Sequence, residues 1–83
     1  MIIKINGEKE NIEPADGMKF TLQELQQAVG GYIQVVPINS GKLMIVDEEG
    51  LLKTDAQLNM EASKIAGQSI VGQVIIIGRD QIE

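Results

Sequence analysis

One stretch of ten residues, 29–38, constrains the fold more than any other part of the chain. It reads Val-Gly-Gly-Tyr-Ile-Gln-Val-Val-Pro-Ile and joins a segment with helical spacing to one with strand-like alternation. Gly30 stands where a left-handed residue ends a helix without a Cβ penalty. After Gly31, apolar side chains fall on both faces of an extended segment, which predicts a central strand covered on two sides. Pro37 cannot donate to a ladder, so it belongs at the strand end or on an unpaired side.

The helix before this stretch has a clear beginning. Thr21 and Glu24 have the spacing of a capping box, and Phe20 is placed to pack against Leu25 as a hydrophobic staple. One face of this helix is apolar and the rest is polar, so we expect the apolar face to dock on a sheet. That face consists of Leu22, Leu25, Ala28 and Val29.

The N-terminal segment, residues 2–5, is a short strand followed by the hairpin signal Asn6-Gly7. A two-residue turn would set Ile3 opposite Glu10. A loop one residue longer pairs Ile2 with Ile12 and Lys4 with Glu10, and we favour it because side chains of matching type then meet across the strands.

After Ile38, four polar residues make a turn and residues 43–46 return as the second strand of a hairpin. The acidic turn 47–50 follows, with Gly50 predicted to supply a positive φ and Leu51-Leu52 to continue as a further strand. Calcium loops spread their oxygen ligands over about a dozen residues, so these adjacent carboxylates indicate a solvated turn and no metal site.

Residues 73–78 are apolar on both faces and belong in the sheet centre.

A second, shorter helix has two possible beginnings, Thr54 or Asn59. We favour Asn59, which is among the best N-cap residue types, with Gly67 ending the helix. The whole chain, residues 1–83, is therefore predicted to be a single α+β domain. It has a mainly antiparallel sheet of four to six strands, one amphipathic helix packed on the sheet and a second short helix.

Charge and composition exclude several functions. The chain has twelve acidic and seven basic residues, a net charge of −5, so general nucleic-acid binding is disfavoured. It has no cysteine and no histidine, which removes thiolate nucleophiles, imidazole bases and the usual zinc ligands. We therefore expect no catalytic residues, no metal and no cofactor, and predict that the protein is not an enzyme. No apolar run approaches a membrane span, and we expect a cytoplasmic protein without membrane association.

Five short motifs together resemble a known family. They are Leu22-x-x-Leu25, Val29-Gly30-Gly31-Tyr32-Ile33, Asp47-Glu48-Glu49-Gly50, Leu58-Asn59-x-x-Ala62-Ser63 and Ile70-Val71-Gly72-Gln73-Val74. The chain resembles the domain of unknown function 3846 over about residues 20–78, although Gln57 stands where that family usually has proline. The resemblance implies a small phage or mobile-element protein of the bacterial host cell and no established activity.

Two functions remain from different classes. The first is a protein–protein interaction module that modulates a host factor, with a host or phage protein as partner and contacts from sheet edges, Tyr32 or Met44. The alternative is a small-ligand, nucleotide-like sequestering protein acting as a homo-oligomer, with a pocket lined by the turns at 30–31, at 39–42 and at Asn59. The candidate binding residues are Gly30, Gly31, Tyr32, Lys42 and Asn59.

Overall fold

The structure, a computed structural model, describes residues 1–52 and 56–82. The strands are β1 (Ile2–Ile3), β2 (Lys9–Glu10), β3 (Ile33–Ile38), β4 (Lys42–Asp47) and β5 (Val74–Gly78). The helices are α1 (Leu22–Val29) and α2 (Met60–Ala66). The five strands form one antiparallel sheet in the order β2-β1-β5-β4-β3. The predicted α+β fold with an antiparallel sheet and two helices is confirmed.

Alternation along the central strands builds two apolar layers, one on each face of the sheet. Ile45 and Ile75 belong to the layer that α1 covers through Leu25. Met44 and Ile76 belong to the opposite layer, which α2 covers through Ala62. Because successive side chains of a strand point to opposite faces, strands that are apolar throughout need a helix on each side.

The sheet centre is formed by β4 and β5, and β3 lies at an edge. The prediction that residues 31–38 form a central strand is therefore wrong. Gln34 and Val35 are exposed there, whereas Val36 is buried. Apolar side chains on both faces of a strand indicate that other elements cover the strand above and below. They do not indicate whether both of its edges are hydrogen-bonded to neighbouring strands. Pro37 was the reliable signal, since proline within sheets is confined to edges, strand starts and bulges.

The N-terminal hairpin adopts neither of the two registers that were considered from the sequence. Ile2 lies opposite Glu10 and Ile3 opposite Lys9, and a loop at residues 5–7 joins them, with Gly7 at a φ of 90°. The register is set on the other side of β1, where Ile2 pairs with Ile75 and buries its side chain. An exposed ion pair of 3.2 Å between Lys4 and Glu10 still forms.

The segment after β4 also differs from its prediction. Residues Gly50–Leu52 form a short 3-10 helix and not a strand, and both leucines are largely exposed. Gly50 is not among the residues with positive φ. Glycine is needed there for another reason: a Cβ at Gly50 would lie 2.5 Å from Cγ2 of Val71.

The beginning and the end of each helix agree with those predicted from the sequence. The Thr21–Glu24 capping box is formed, and Gly30 ends α1 at a φ of 91°. Asn59 is the N-cap of α2 and Gly67 ends it at a φ of 72°. The alternative beginning at Thr54 lies outside the described residues. Phe20 and Leu25 are both buried in one layer, as the staple requires, but Leu22 is exposed and does not belong to the buried face.

Candidate functional site

A groove of about 430 Å³ opens where the end of α1 meets the beginning of β3 and the turn after β4. It brings together two of the predicted site residues, Gly31 and Tyr32. The other residues that line it are Gln23, Gln26, Gln27, Asp47 and Glu49. Within the described part of the chain the lining thus consists of side-chain amides, one phenol, two carboxylates and a glycine.

Tyr32 is the chemically distinctive residue of this groove. Its side chain is 66% exposed, whereas Phe20, the chain's other aromatic residue, is only 2% exposed. The backbone of Tyr32 is held in place, because its carbonyl oxygen accepts a hydrogen bond of 2.9 Å from the N–H of Glu48. The phenol ring is therefore displayed from a fixed point at the beginning of the hairpin β3–β4.

Gly30 and Gly31 turn the chain from α1 into β3. Both of their N–H groups donate to the carbonyl oxygen of Gln26, at 2.7 and 3.2 Å. These hydrogen bonds satisfy a carbonyl at the helix end. The two amides therefore cap the helix, and Gly31 contributes to the groove mainly as a backbone surface without a side chain.

The acidic turn 47–50 borders the groove with two of its carboxylates. Oδ1 of Asp47 accepts a hydrogen bond of 2.9 Å from the N–H of Glu49, which is the pattern of an Asx-turn. Glu48 and Glu49 are exposed. Among residues 1–52 and 56–82, no group of three or more acidic side chains is arranged to hold a metal ion.

Lys42 lies far from this groove. It begins β4 opposite Ile38, while Tyr32 lies at the other end of the same hairpin, about 20 Å away along six residues of strand. Lys42 instead lies near the N-terminal amine. Burial first, and then the positive charge of Lys42, lower the pKa of the Met1 ammonium, whereas Glu13 acts to raise it.

Asn59 is inside the protein, with no exposed surface. Its Nδ2 donates to the carbonyl oxygens of Ile3 and Gly72, and its Oδ1 accepts from the N–H of Ala62. The side-chain amide is thus fully engaged in hydrogen bonds within the protein. The structure places Asn59 among the residues that hold the fold together and away from any surface that a ligand reaches.

Sequence reasoning missed the glutamines of α1 as part of this site. The helical pattern assigns Gln23, Gln26 and Gln27 only to the polar, solvent-facing side of an amphipathic helix. A further contact was missed at the helix end, where Nε2 of Gln73 donates a 2.7 Å hydrogen bond to the carbonyl oxygen of Ala28. The run of glutamines on one short helix was the sequence feature that could have indicated this site. No local sequence pattern, however, places these glutamines beside Tyr32.

Comparison with known proteins agrees with the motifs. A family model described as a domain of unknown function (DUF3846) matches residues 1–83. The chain belongs to the DUF3846 family. The match extends over the N-terminal hairpin, beyond the residues 20–78 over which the motifs resemble DUF3846. Searches of curated proteins and of solved structures gave no match. Within the described residues of this DUF3846 protein, no helix is long and apolar enough to cross a membrane.

Proposed function

We propose that this protein is a non-catalytic protein–protein interaction module of a phage or mobile genetic element, and that its partner is a host or phage protein. The exposed ring of Tyr32 on the rim of the groove carries the proposal. Tyrosine is enriched at protein interfaces and among their energetic hot spots, because a large ring is immobilised at little entropic cost. Met44, the other residue considered for such contacts, is completely buried and is not available.

The surroundings of Tyr32 suit a peptide segment. Gln23, Gln26 and Gln27 offer both donors and acceptors, as main-chain groups of a bound segment require. Asp47 and Glu49 give the groove a negative potential, in line with the net charge of −5. We therefore expect the bound segment to be neutral or basic, and nucleic acid to be repelled.

The small-ligand alternative has weaker support. The groove volume falls within the usual range for ligand sites, about 300–1,000 Å³. However, the turn at 39–42 lies at the opposite end of the hairpin from Gly31, and Asn59 is buried, so the three turns expected to line one pocket do not meet. A nucleotide-like ligand would also bring its phosphates towards Asp47 and Glu49.

The experiment is affinity purification of the tagged protein from its bacterial host, followed by native mass spectrometry. One partner protein in fixed stoichiometry is expected with the wild type and is lost with Tyr32→Ala. Met18→Ala is the matched control, because Met18 is equally exposed but does not line the groove.

Three results would contradict the proposal. A partner that Tyr32→Ala retains would mean that another surface binds it. A small added mass that survives desalting would favour the sequestering function. Hydrolytic turnover abolished by alanine at Asp47, Glu48 or Glu49 would refute the absence of catalysis.

A further inference from the structure

The outer side of β3 exposes main-chain groups of three residues. Tyr32 and Glu48 are directly opposite each other and share a ladder hydrogen bond of 2.9 Å. In an antiparallel pair, hydrogen-bonded and non-hydrogen-bonded residues alternate, so Gln34 and Val36 also direct their N–H and C=O groups towards β4. The groups of the alternate residues Ile33, Val35 and Pro37 therefore face outward. Within residues 1–52 and 56–82, no strand pairs with that side.

The two edges of the sheet differ in how they are protected. The edge strand β2 has only two residues, Lys9 and Glu10, and both are charged. Short, charged strands discourage pairing with another chain. The other edge, β3, has six residues and no charged side chain. The one residue of β3 that opposes pairing with another chain is Pro37, because it lacks an N–H on the outward side of the strand.

We propose that a second copy of this chain pairs antiparallel with β3, so that two five-stranded sheets join into one across a two-fold axis. An axis at Val35 makes the edge self-complementary. The Val35 N–H groups and C=O groups of the two copies bond reciprocally, and each Ile33 N–H reaches the C=O of Pro37 in the other copy. Every outward N–H is then satisfied, and the missing donor of Pro37 leaves unpaired only the Ile33 C=O at either end.

Side chains along the edge also suit a second copy. Val35 is 39% exposed and would meet its own copy, and β-branched pairs across strands are stabilising. Leu51 and Leu52 line a cleft together with Gln34, so exposed apolar surface continues beside the edge. This surface enlarges the contact beyond a single strand, as a stable interface requires.

Charge favours the antiparallel orientation over the parallel one. Lys42 lies beside the Ile38 end of β3, and the acidic turn 47–50 lies beside the Tyr32 end. Antiparallel pairing brings the basic end of one copy towards the acidic end of the other, whereas parallel pairing would align like charges. The groups are about three strand spacings apart, roughly 14 Å, so this preference is weak and screened by salt.

The dimer goes beyond the proposed function and has a consequence for it. Two Tyr32 grooves would be carried by one particle, separated by about 20 Å along the strand direction. A partner with two copies of the recognised segment would then be bound with higher avidity than by a single groove.

Analytical ultracentrifugation of the purified protein, without any partner, tests the dimer. We expect twice the mass of the 9.0 kDa chain for the wild type and the mass of a single chain for Val35→Lys. Met18→Lys adds the same charge at an exposed loop residue and should remain dimeric. Far-UV circular dichroism checks that each variant is folded. A monomeric wild type at the highest concentration reached would overturn the inference and leave the partner-binding experiment unaffected.

Cysteine cross-linking locates the interface, and the native chain has no cysteine to interfere. Oxidation of Val35→Cys should give a disulfide-linked dimer, because Val35 lies at the two-fold axis, directly opposite its own copy. Glu10→Cys, on the opposite edge, is the control and should not cross-link. Cross-linking through Glu10→Cys alone, or a dimer that persists in Val35→Lys, would place the interface elsewhere and refute the pairing of β3.

Discussion

The side-chain Nδ2 of Asn59 donates a hydrogen bond of 3.1 Å to the carbonyl oxygen of Ile3, 56 residues earlier in the chain. The same nitrogen donates to Gly72 at 2.9 Å, and Oδ1 accepts from Ala62 at 3.0 Å. One buried side chain thus links β1, the loop before β5 and the first turn of α2. Its amide has donors and an acceptor in the positions where the surrounding backbone needs them.

Asn59→Ala should therefore destabilise the protein by about 2–4 kcal/mol, because a helix cap is lost and the carbonyl groups of Ile3 and Gly72, one buried and one partly buried, each lose a hydrogen-bond donor. This is a large part of a total expected at about 4–12 kcal/mol for a chain of this length. Urea unfolding followed by circular dichroism measures the change. The exposed Asn39→Ala should stay within about 0.5 kcal/mol of the wild type.

Asn59→Asp separates the two roles of this residue. It keeps the oxygen that accepts from Ala62 but replaces the donor to Ile3 and Gly72 with a second oxygen. We expect it to be no more stable than Asn59→Ala at neutral pH. Near-wild-type stability of Asn59→Asp would mean that the helix cap alone accounts for the residue.

Gly50→Ala tests the close approach of the 3-10 helix to Val71. The new Cβ would lie 2.5 Å from Cγ2 of Val71, and we expect a loss of about 1–3 kcal/mol from the forced displacement. Val71→Ala should recover a substantial part of this loss in the double variant, measured as a double-mutant cycle. No recovery would show that backbone conformation, and not the side-chain contact, requires glycine there.

The central strand and the edge strand should respond differently to truncation. Ile45 is fully buried in β4 and lies directly opposite Val35, which is partly exposed in β3. Ile45→Ala should cost about 2–5 kcal/mol because it leaves a cavity, whereas Val35→Ala should cost less than about 1 kcal/mol. Both are measured by urea unfolding under conditions in which the protein is monomeric. Equal costs would contradict the placement of β3 at the edge.

Glu24 should make stability depend on pH in the acidic range. Hydrogen bonds from the N–H of Thr21, and next from that of Ala15, lower the pKa of its carboxyl group. A depressed pKa in the folded state gives stabilisation that is present above the ordinary glutamate pKa, about 4.3, and is lost as the pH falls through the folded-state pKa. Melting temperatures between neutral and acidic pH should therefore fall less steeply for Glu24→Gln than for the wild type. Glu49→Gln removes the same charge at an exposed turn and should follow the wild-type profile. If its profile instead resembled that of Glu24→Gln, the pH dependence of stability could not be attributed to Glu24.

The helices show how much of the fold could be predicted. Thr21, Glu24 and Gly30 define α1, and Asn59 and Gly67 define α2, in agreement with the structure. The hairpin β3–β4 is likewise formed as its turn residues indicate. In the candidate site, Gly31 and Tyr32 come together, but the glutamines of α1 were not recognised and Lys42 lies at the other end of the hairpin. Which helix face meets which turn depends on packing that no local pattern records.

The sequence by itself determined where the helices begin and end and which segments form the β3–β4 hairpin, because those features depend on hydrogen bonds and side chains only a few residues apart. Only the tertiary structure decided the strand order. The N-terminal register was set by pairing of β1 with β5, and β3 became an edge because β5 occupies the other side of β4. The buried role of Asn59 and the need for glycine at position 50 likewise arise from contacts with Ile3 and Val71, distant residues that meet only when the sheet is assembled.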